Sequence, residues 1–302
     1  MGDFKRQIRQ AAQEALADLT GFASRDRFEG LDESRNPFTL FPRGKTAILL
    51  GRRVTRGTLR GVEEGSNFGD YAMFGKSWLA DEFLAQTVYT VAAFLERNGW
   101  EAMPVTPGRK TEVAGVGIAV LPDFGWAAVA AGLGEIGLSG EILSPRFGPR
   151  QRLAMILTDA ELPSDPLLDK PVCTRCGRCA QVCPLKALDA EQAETIAICG
   201  REMIVAAQNP GLCAKCRNGA IAERVLTQDK APTDRMIYSS SGAVTYFGQV
   251  DRLAALCTRT CVQALEESGA LENGFETPFR KRQAWGKNEF GEPVDVAEGG
   301  KQ

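Results

Sequence analysis

Apolar positions recur at helical spacing near the start of the chain, where Phe4, Ile8, Ala12, Ala15 and Leu19 share one face. Residues 3–19 are therefore predicted to form an amphipathic helix. TAILLG (46–51) is a short apolar run ending at glycine, the pattern of a buried strand. DEFLAQTVYTVAAFLERNGW (81–100) reads as a helix with an acidic first turn and a terminating Asn-Gly, followed by EAMPV as a second strand. GVGIAVLP (115–122) and QRLAMILTD (151–159) are the third and fourth strands, the last apolar on both faces. Strands alternating with helices predict an α/β layer. The arginines of GRRVTRGTLRG (51–61) read as a solvated loop. Near residue 163 the character changes: Pro163, Pro166 and Pro171 mark a connector, and the cysteines begin at Cys173.

Composition narrows the classes. A chain of 302 residues with 44% hydrophobic content can bury a substantial core as one large or two smaller domains. Its 36 basic and 38 acidic side chains nearly cancel, which weighs against a nucleic-acid partner or an anionic membrane surface. No apolar run approaches the ~18 residues that suggest a membrane span, and MGDFKRQIRQ lacks the apolar core of a secretory signal. A cytoplasmic protein is expected. There is no histidine, which removes imidazole as metal ligand, axial ligand or general base and excludes Ser-His-Asp and Cys-His hydrolases.

The nine cysteines carry the chemistry. In a reducing compartment they are metal ligands or catalytic thiols rather than disulfides. PVCTRCGRCAQVCP places Cys173, Cys176, Cys179 and Cys183 in C-x2-C-x2-C-x3-C-P, the bacterial ferredoxin run, in which the fourth cysteine serves a second cluster. Zinc sites prefer separated pairs of ligands. The second set reads most simply as Cys213, Cys216, Cys257 and Cys261, a ferredoxin motif with an expanded middle spacer. A rival set of Cys199, Cys213 and Cys216 has Ala220 where its last ligand belongs. In the exchange pattern one cluster uses Cys173, Cys176, Cys179 and Cys261, and the other Cys183, Cys213, Cys216 and Cys257, with Cys199 left as a buried thiol. Which late cysteine serves which cluster stays open, as does a ligand role for Cys199.

AGLGEIG (131–137) fits the G-x-G-x-x-G spacing of a dinucleotide site. Such a site needs a strand before the glycines and a helix after them. Here WAAVAA precedes and Gly140, Pro145, Gly148 and Pro149 follow, so a helix leads in and turns lead out. The long stretch FGWAAVAAGLGEIGLSGEILSPRFGPRQRLAMILTDAELPSDPLL, running into VCTRCGRCAQVCP, resembles instead the cobalamin-dependent iron-sulfur reductases, which comprise reductive dehalogenases and epoxyqueuosine reductases. The resemblance is strong over about 120–190 and loose from 45 to 265.

The resemblance implies a mixed α/β (α+β) fold: a nitroreductase-like corrinoid-binding domain over 1–165, a bacterial-ferredoxin-like domain with two 4Fe-4S clusters over 166–270, and a C-terminal tail over 271–302. It implies that Gly134, Gly137, Ser139, Ser144, Gly148, Arg150 and Arg152 line or shape a site for base-off cobalamin. It implies an external electron donor such as ferredoxin or flavodoxin, and a small-molecule substrate. Lacking histidine, the chain must draw its proton donor from other side chains; the candidates are Tyr71 in NFGDYAMFGKS, Asp123 in LPDFGW and Tyr246 in SGAVTYFGQ. Ile118 stands where epoxyqueuosine reductases carry their proton-donating aspartate. The leading expectation is thus a reductive dehalogenase-like enzyme. An electron-transfer or corrinoid-activating protein and a tRNA-acting epoxyqueuosine reductase are the alternatives. FETPFRKRQAW (275–285) is expected to pack its aromatics over the cluster-bearing part, and the final GEPVDVAEGGKQ to be disordered.

Overall fold

The computed structural model describes residues 2–67, 69–107, 110–113, 117–216, 236–238, 244–246, 251–281, 283–284, 286–288 and 292–294. At its centre is an antiparallel sheet in the order β1-β2-β8-β3, made of β1 (Leu19–Ser24), β2 (Thr46–Arg53), β3 (Ala102–Val105) and β8 (Gln151–Thr158). Alternation along β2 and β8 sorts the side chains to two faces, as the pleat requires. Ile48, Leu50, Ala154 and Ile156 point to one face, where α1 (Gly2–Glu14) and α3 (Ala85–Arg97) bury Ile8, Val88, Val91 and Leu95. Ala47, Leu49, Leu153, Met155 and Leu157 point to the other, covered by Phe28, Phe38 and the alanines of α4 (Phe124–Ala130). Each fully buried Leu or Ile contributes roughly 1.5–3 kcal/mol. Pro104 sits on β3, an edge strand, where a missing ladder donor is tolerated.

The strands predicted at 46–51, 101–105 and 151–159 are those of the central sheet. The third differs: Ile118–Val120 is β5, outside that sheet, and pairs with β4 (Thr111–Val113). Strand β1 was not legible, because LTGFAS carries a glycine at its third position. A Cβ on Gly21 would sit 2.6 Å from the Ala131 carbonyl, so this strand gives up a side chain to let the end of α4 approach.

The arginine-rich stretch is a correction. Instead of a solvated loop, it forms the end of β2 and then α2 (Arg56–Glu63), where Arg56 is buried and paired with Glu266 at 2.6 Å. Beyond it, Tyr71–Leu84 winds as a π-helix that runs directly into α3. Such helices are rare beyond a single turn and concentrate at functional sites.

After β8 the chain passes through the cysteine run and the short α5 (Arg178–Gln181). It then forms the hairpin β9 (Leu188–Ile198) and β10 (Arg201–Gln208), followed by α6 (Pro210–Ala214). Two further strands, β11 (Met236–Tyr238) and β12 (Val244–Tyr246), are described by their backbone alone. The helix α7 (Leu256–Glu267) returns to pack on α2 and α5. Phe279 of the C-terminal segment is buried with Val54, Leu59, Tyr71 and Val262, between α2 and α7. Pro293–Val294 (β14) pairs with Gly286–Lys287 (β13), in a stretch expected to be disordered; residues 295–302 lie outside the described part.

Candidate functional site: a thiol-lined cavity and a buried tyrosine network

The AGLGEIG segment is a tight two-strand turn. Its β6 (Glu135–Ile136) pairs with β7 (Ile142–Leu143), and a helix precedes it, which agrees with the rejection of a dinucleotide site. A Cβ on Gly134 would lie 2.3 Å from the Leu143 carbonyl, so this glycine is required by the packing of the turn itself. Between the glycines stands Glu135, a buried carboxylate. It accepts hydrogen bonds from the backbone N–H of Val172 (2.8 Å) and Cys173 (2.6 Å) and is held by Arg201 at 2.8 Å. The segment therefore fixes the start of the cysteine run.

That run curls around a small cavity lined by Cys173, Cys176, Cys179 and Cys261, with Leu138, Leu143 and Leu265 closing its apolar side. Two distant stretches, the loop at 173–179 and helix α7, thus bring four thiols together. Gly177 adopts φ +72°, which reverses the loop between Cys176 and Cys179. The Leu138 N–H points at the Cys173 sulfur at 3.4 Å, and the Ala187 N–H at the Cys183 sulfur at 3.3 Å. Burial, together with neighbouring Cys176 and Cys173, pushes the Cys179 thiol up to about 11; burial pushes Cys257 up to about 12 and Cys261 also well above its usual range. Thiolates in such surroundings need a compensating metal charge. An all-sulfur donor set around one cavity fits an iron-sulfur cluster.

The remaining cysteines divide. Cys216 lies close enough to Cys257 for their charges to interact. The Ala187 carbonyl, on the residue whose N–H faces Cys183, accepts a 2.9 Å bond from Asn209, which caps α6 and so positions Cys213. Cys199 sits elsewhere, at the β9–β10 turn with φ +52°; its thiol points at the Arg27 carbonyl (3.4 Å) and packs with Val129 and Met203.

A second cluster of polar side chains lies on the sheet side. Tyr71, 1% exposed, donates to Asp251 at 2.9 Å, while Arg152 on β8 pairs with Asp251 and approaches the Tyr71 oxygen at 3.3 Å. Burial and the adjacent carboxylate hold the Tyr71 hydroxyl well above its ordinary value, so it stays protonated. Burial lowers the neighbouring Lys76 ammonium against the pull of Asp251. Next in the chain, Arg252 pairs with Glu141 at 2.9 Å and donates to the Ser139 carbonyl. Ser139 also borders the thiol-lined cavity, so Arg252, the residue after Asp251, reaches that cavity's rim.

Comparison with known proteins agrees with this picture. A family model described as a 4Fe-4S binding domain matches residues 166–189. Tetrachloroethene reductive dehalogenase of Desulfitobacterium hafniense is 35% identical over 128 residues, covering 40% of this chain and 20% of that protein. Epoxyqueuosine reductase of Synechococcus sp. (strain RCC307) is 41% identical over 70 residues, covering 23% and 21%. Over these stretches the chain is similar to both reductive dehalogenases and epoxyqueuosine reductases. It spans about a fifth of the length of the curated relatives it matches. Among solved structures, epoxyqueuosine reductase from Streptococcus thermophilus is similar with TM-score 0.47 and 17% identity, over 97% of this chain and 68% of that one.

The resemblance assigns seven residues to a corrinoid. The described structure spends nearly all of them on protein contacts. Gly134 and Gly137 close on Leu143; Ser144 bonds Gln151 at 2.7 Å; Gly148 turns at φ +59° against Leu265. Arg150, 1% exposed, donates to the Val54 carbonyl at 2.9 Å and to Asn273 at 3.2 Å, and Arg152 holds Asp251. Ser139 borders the thiol-lined cavity.

Of the three proton-donor candidates, the structure separates the first two. Asp123 caps α4 through Trp126 N–H (2.8 Å) and pairs with Arg35. Tyr246 ends β12, and its side chain lies outside the described part. Sequence reasoning missed Glu135, Glu141, Asp251 and Arg252. The one available signal was Asp251-Arg252 standing just ahead of Cys257 in VDRLAALC.

No helix among the described residues is long and apolar enough to cross a membrane.

Proposed function

We propose that this chain is an iron-sulfur oxidoreductase that passes single electrons through two 4Fe-4S clusters toward reduction of a small organic substrate, in the manner of a reductive dehalogenase. The observation that carries it is the cavity ringed by Cys173, Cys176, Cys179 and Cys261. In this reading those four thiolates hold one cubane, and Cys183, Cys213, Cys216 and Cys257 hold the other, with an external ferredoxin or flavodoxin as electron source. Leu138, Leu143 and Leu265 exclude water from the first cluster, while N–H groups aimed at Cys173 and Cys183 stabilise charge on sulfur and so raise the potential. Kinship supports a corrinoid as the group that would supply the substrate chemistry.

Tyr71 is the proton donor in this reading. Its proton is retained by burial and by Asp251, so it is released only to a strongly basic centre, and Arg152 fixes the hydroxyl's direction.

Anaerobic purification with iron-sulfide reconstitution and metal analysis tests the proposal. About eight irons per chain are expected for two cubanes, and about one cobamide per chain when hydroxocobalamin is supplied. Iron without cobamide uptake would remove the corrinoid and leave an electron-transfer protein. Zinc in place of iron would remove the whole reading.

A second reading rests on the Synechococcus relative. Epoxyqueuosine reduction in tRNA has equal support from kinship, and it reopens the nucleic-acid partner that the charge balance weighed against. Restoration of queuosine in a deficient strain would decide for it.

A further inference from the structure

A cavity of about 780 Å³ opens where α1, the end of β2 and the π-helix meet, and none of the cysteines lines it. Its wall carries four arginines, Arg9, Arg52, Arg53 and Arg146, against a single acid, Asp18. Asp18 takes up Arg53 at 3.3 Å, and Asp165, outside the wall, takes up Arg9 at 2.5 Å. Arg52 and Arg146 make no ion pair among the described residues. Arg52 donates to the Phe83 carbonyl at 3.2 Å, and Arg146 to the Asp18 carbonyl at 2.7 Å. Each also lies over an aromatic ring, Phe83 and Phe147 respectively. One backbone carbonyl uses little of a guanidinium's five donors, and the charge itself is permanent. Two cationic heads therefore face this cavity without a counter-charge.

The same cavity has an exposed apolar part. Leu16 is 64% exposed and Phe74 43% exposed, although large hydrophobic side chains elsewhere in this fold are mostly buried. Phe74 is stiffened from behind by an edge contact with Trp78 (5.2 Å) and by Phe83 (6.4 Å). Leu16 holds φ +66°, a left-handed conformation that a leucine rarely adopts. It ends α1 as a left-handed cap, with the Ala17 N–H on the Ala12 carbonyl at 2.8 Å, and this turns Leu16 outward at the cavity.

We propose that this cavity binds a small organic anion, with a carboxylate or phosphate against Arg52 and Arg146 and an apolar or aromatic body against Phe74. A concave wall with an apolar rim suits a compact ligand, whereas a nucleic-acid strand is followed by a basic track across a surface. The site is independent of the iron-sulfur reading, since it shares none of those ligands.

Calorimetric titration of the iron-reconstituted chain with benzoate, phenyl phosphate, inorganic phosphate and benzyl alcohol tests it. Benzoate or phenyl phosphate is expected to bind at least about tenfold tighter than benzyl alcohol or inorganic phosphate; which aryl anion prevails identifies the head group. Arg52→Met and Arg146→Met should each weaken that binding about tenfold with iron content and far-UV circular dichroism unchanged, and Arg52→Lys should recover part of it. Equal binding of benzyl alcohol, or anion binding unmoved by both methionine variants, would overturn the proposal. So would an RNA stem-loop whose binding is lost in those variants while neither aryl anion binds, which would make this a nucleic-acid surface.

Discussion

The Tyr71 hydroxyl donates a 2.9 Å hydrogen bond to the Asp251 carboxylate, 180 positions further along the chain, inside a buried pocket that Arg152 completes. Removing Asp251 leaves the Arg152 charge with its partner gone. Asp251→Ala is therefore expected to destabilise the fold by about 3–5 kcal/mol, read from denaturant midpoints. Tyr71→Phe removes one hydrogen bond and no charge, and should cost about 1 kcal/mol while abolishing substrate reduction under the proposed mechanism. A Tyr71→Phe chain that keeps full reductase activity would end the donor assignment.

The same pair sets a pH dependence. Burial alone would raise the Asp251 carboxyl, but Arg152 and its hydrogen bonds carry it below the ordinary carboxylate value. A carboxyl depressed by folding contributes stability above the unfolded value, near about 3.9, and loses it as pH falls through the folded one. The wild-type chain should therefore lose stability on acidification below about pH 4, and Asp251→Asn should flatten that acid limb. Thermal unfolding between neutral and acid pH checks this.

Glu135 makes a different prediction, because it joins two backbone N–H groups of the cysteine run to Arg201. Glu135→Ala orphans all three donors, so iron retention after reconstitution should fall well below wild type and stability should drop by about 3–5 kcal/mol. Glu135→Gln keeps an acceptor and should retain more iron. Equal iron in all three proteins would mean that this carboxylate does not hold the loop.

The cysteine partition is open to counting. Cys261→Ser should cost one cluster and leave about four irons per chain, with Cys257→Ser equivalent, if the two sets are independent. Cys199→Ser should keep the full complement, since its thiol packs against Val129 and Met203 and points at the Arg27 carbonyl. A Cys199→Ser protein that loses half its iron would redraw the sets.

Much of the central sheet could be read in advance because TAILLG and QRLAMILTD are apolar on both faces, and only a strand between two covering layers needs that. The cysteine run was legible because its spacing is local. What could not be read is long-range pairing: Arg56 and Arg60 look like solvated residues until Glu266 and Thr277 are placed beside them. Nor could the sequence show that Gly134 and Gly137 make room for Leu143, their own hairpin partner.

The last prediction concerns how the ends of the chain are joined. Glu63, at the end of α2, is buried and accepts from both Arg259 of α7, at 2.5 Å, and Arg280 of the C-terminal segment. One carboxylate thus serves two guanidinium groups, with Thr260 taking another Arg280 donor at 3.0 Å. Burial lowers Arg259 from its ordinary value even with Glu63 beside it, a sign that desolvation outweighs the pairing for that group. Removing the carboxylate with Glu63→Ala should therefore be far costlier than its one lost side chain suggests, about 3–5 kcal/mol. Because Arg259 lies between Cys257 and Cys261 on the same helix, the damage should extend to the clusters. Hydrogen exchange should show α7 and residues 275–280 losing protection together, with iron content falling in step. Loss of protection confined to α2 would show that the cluster-bearing helix is anchored elsewhere.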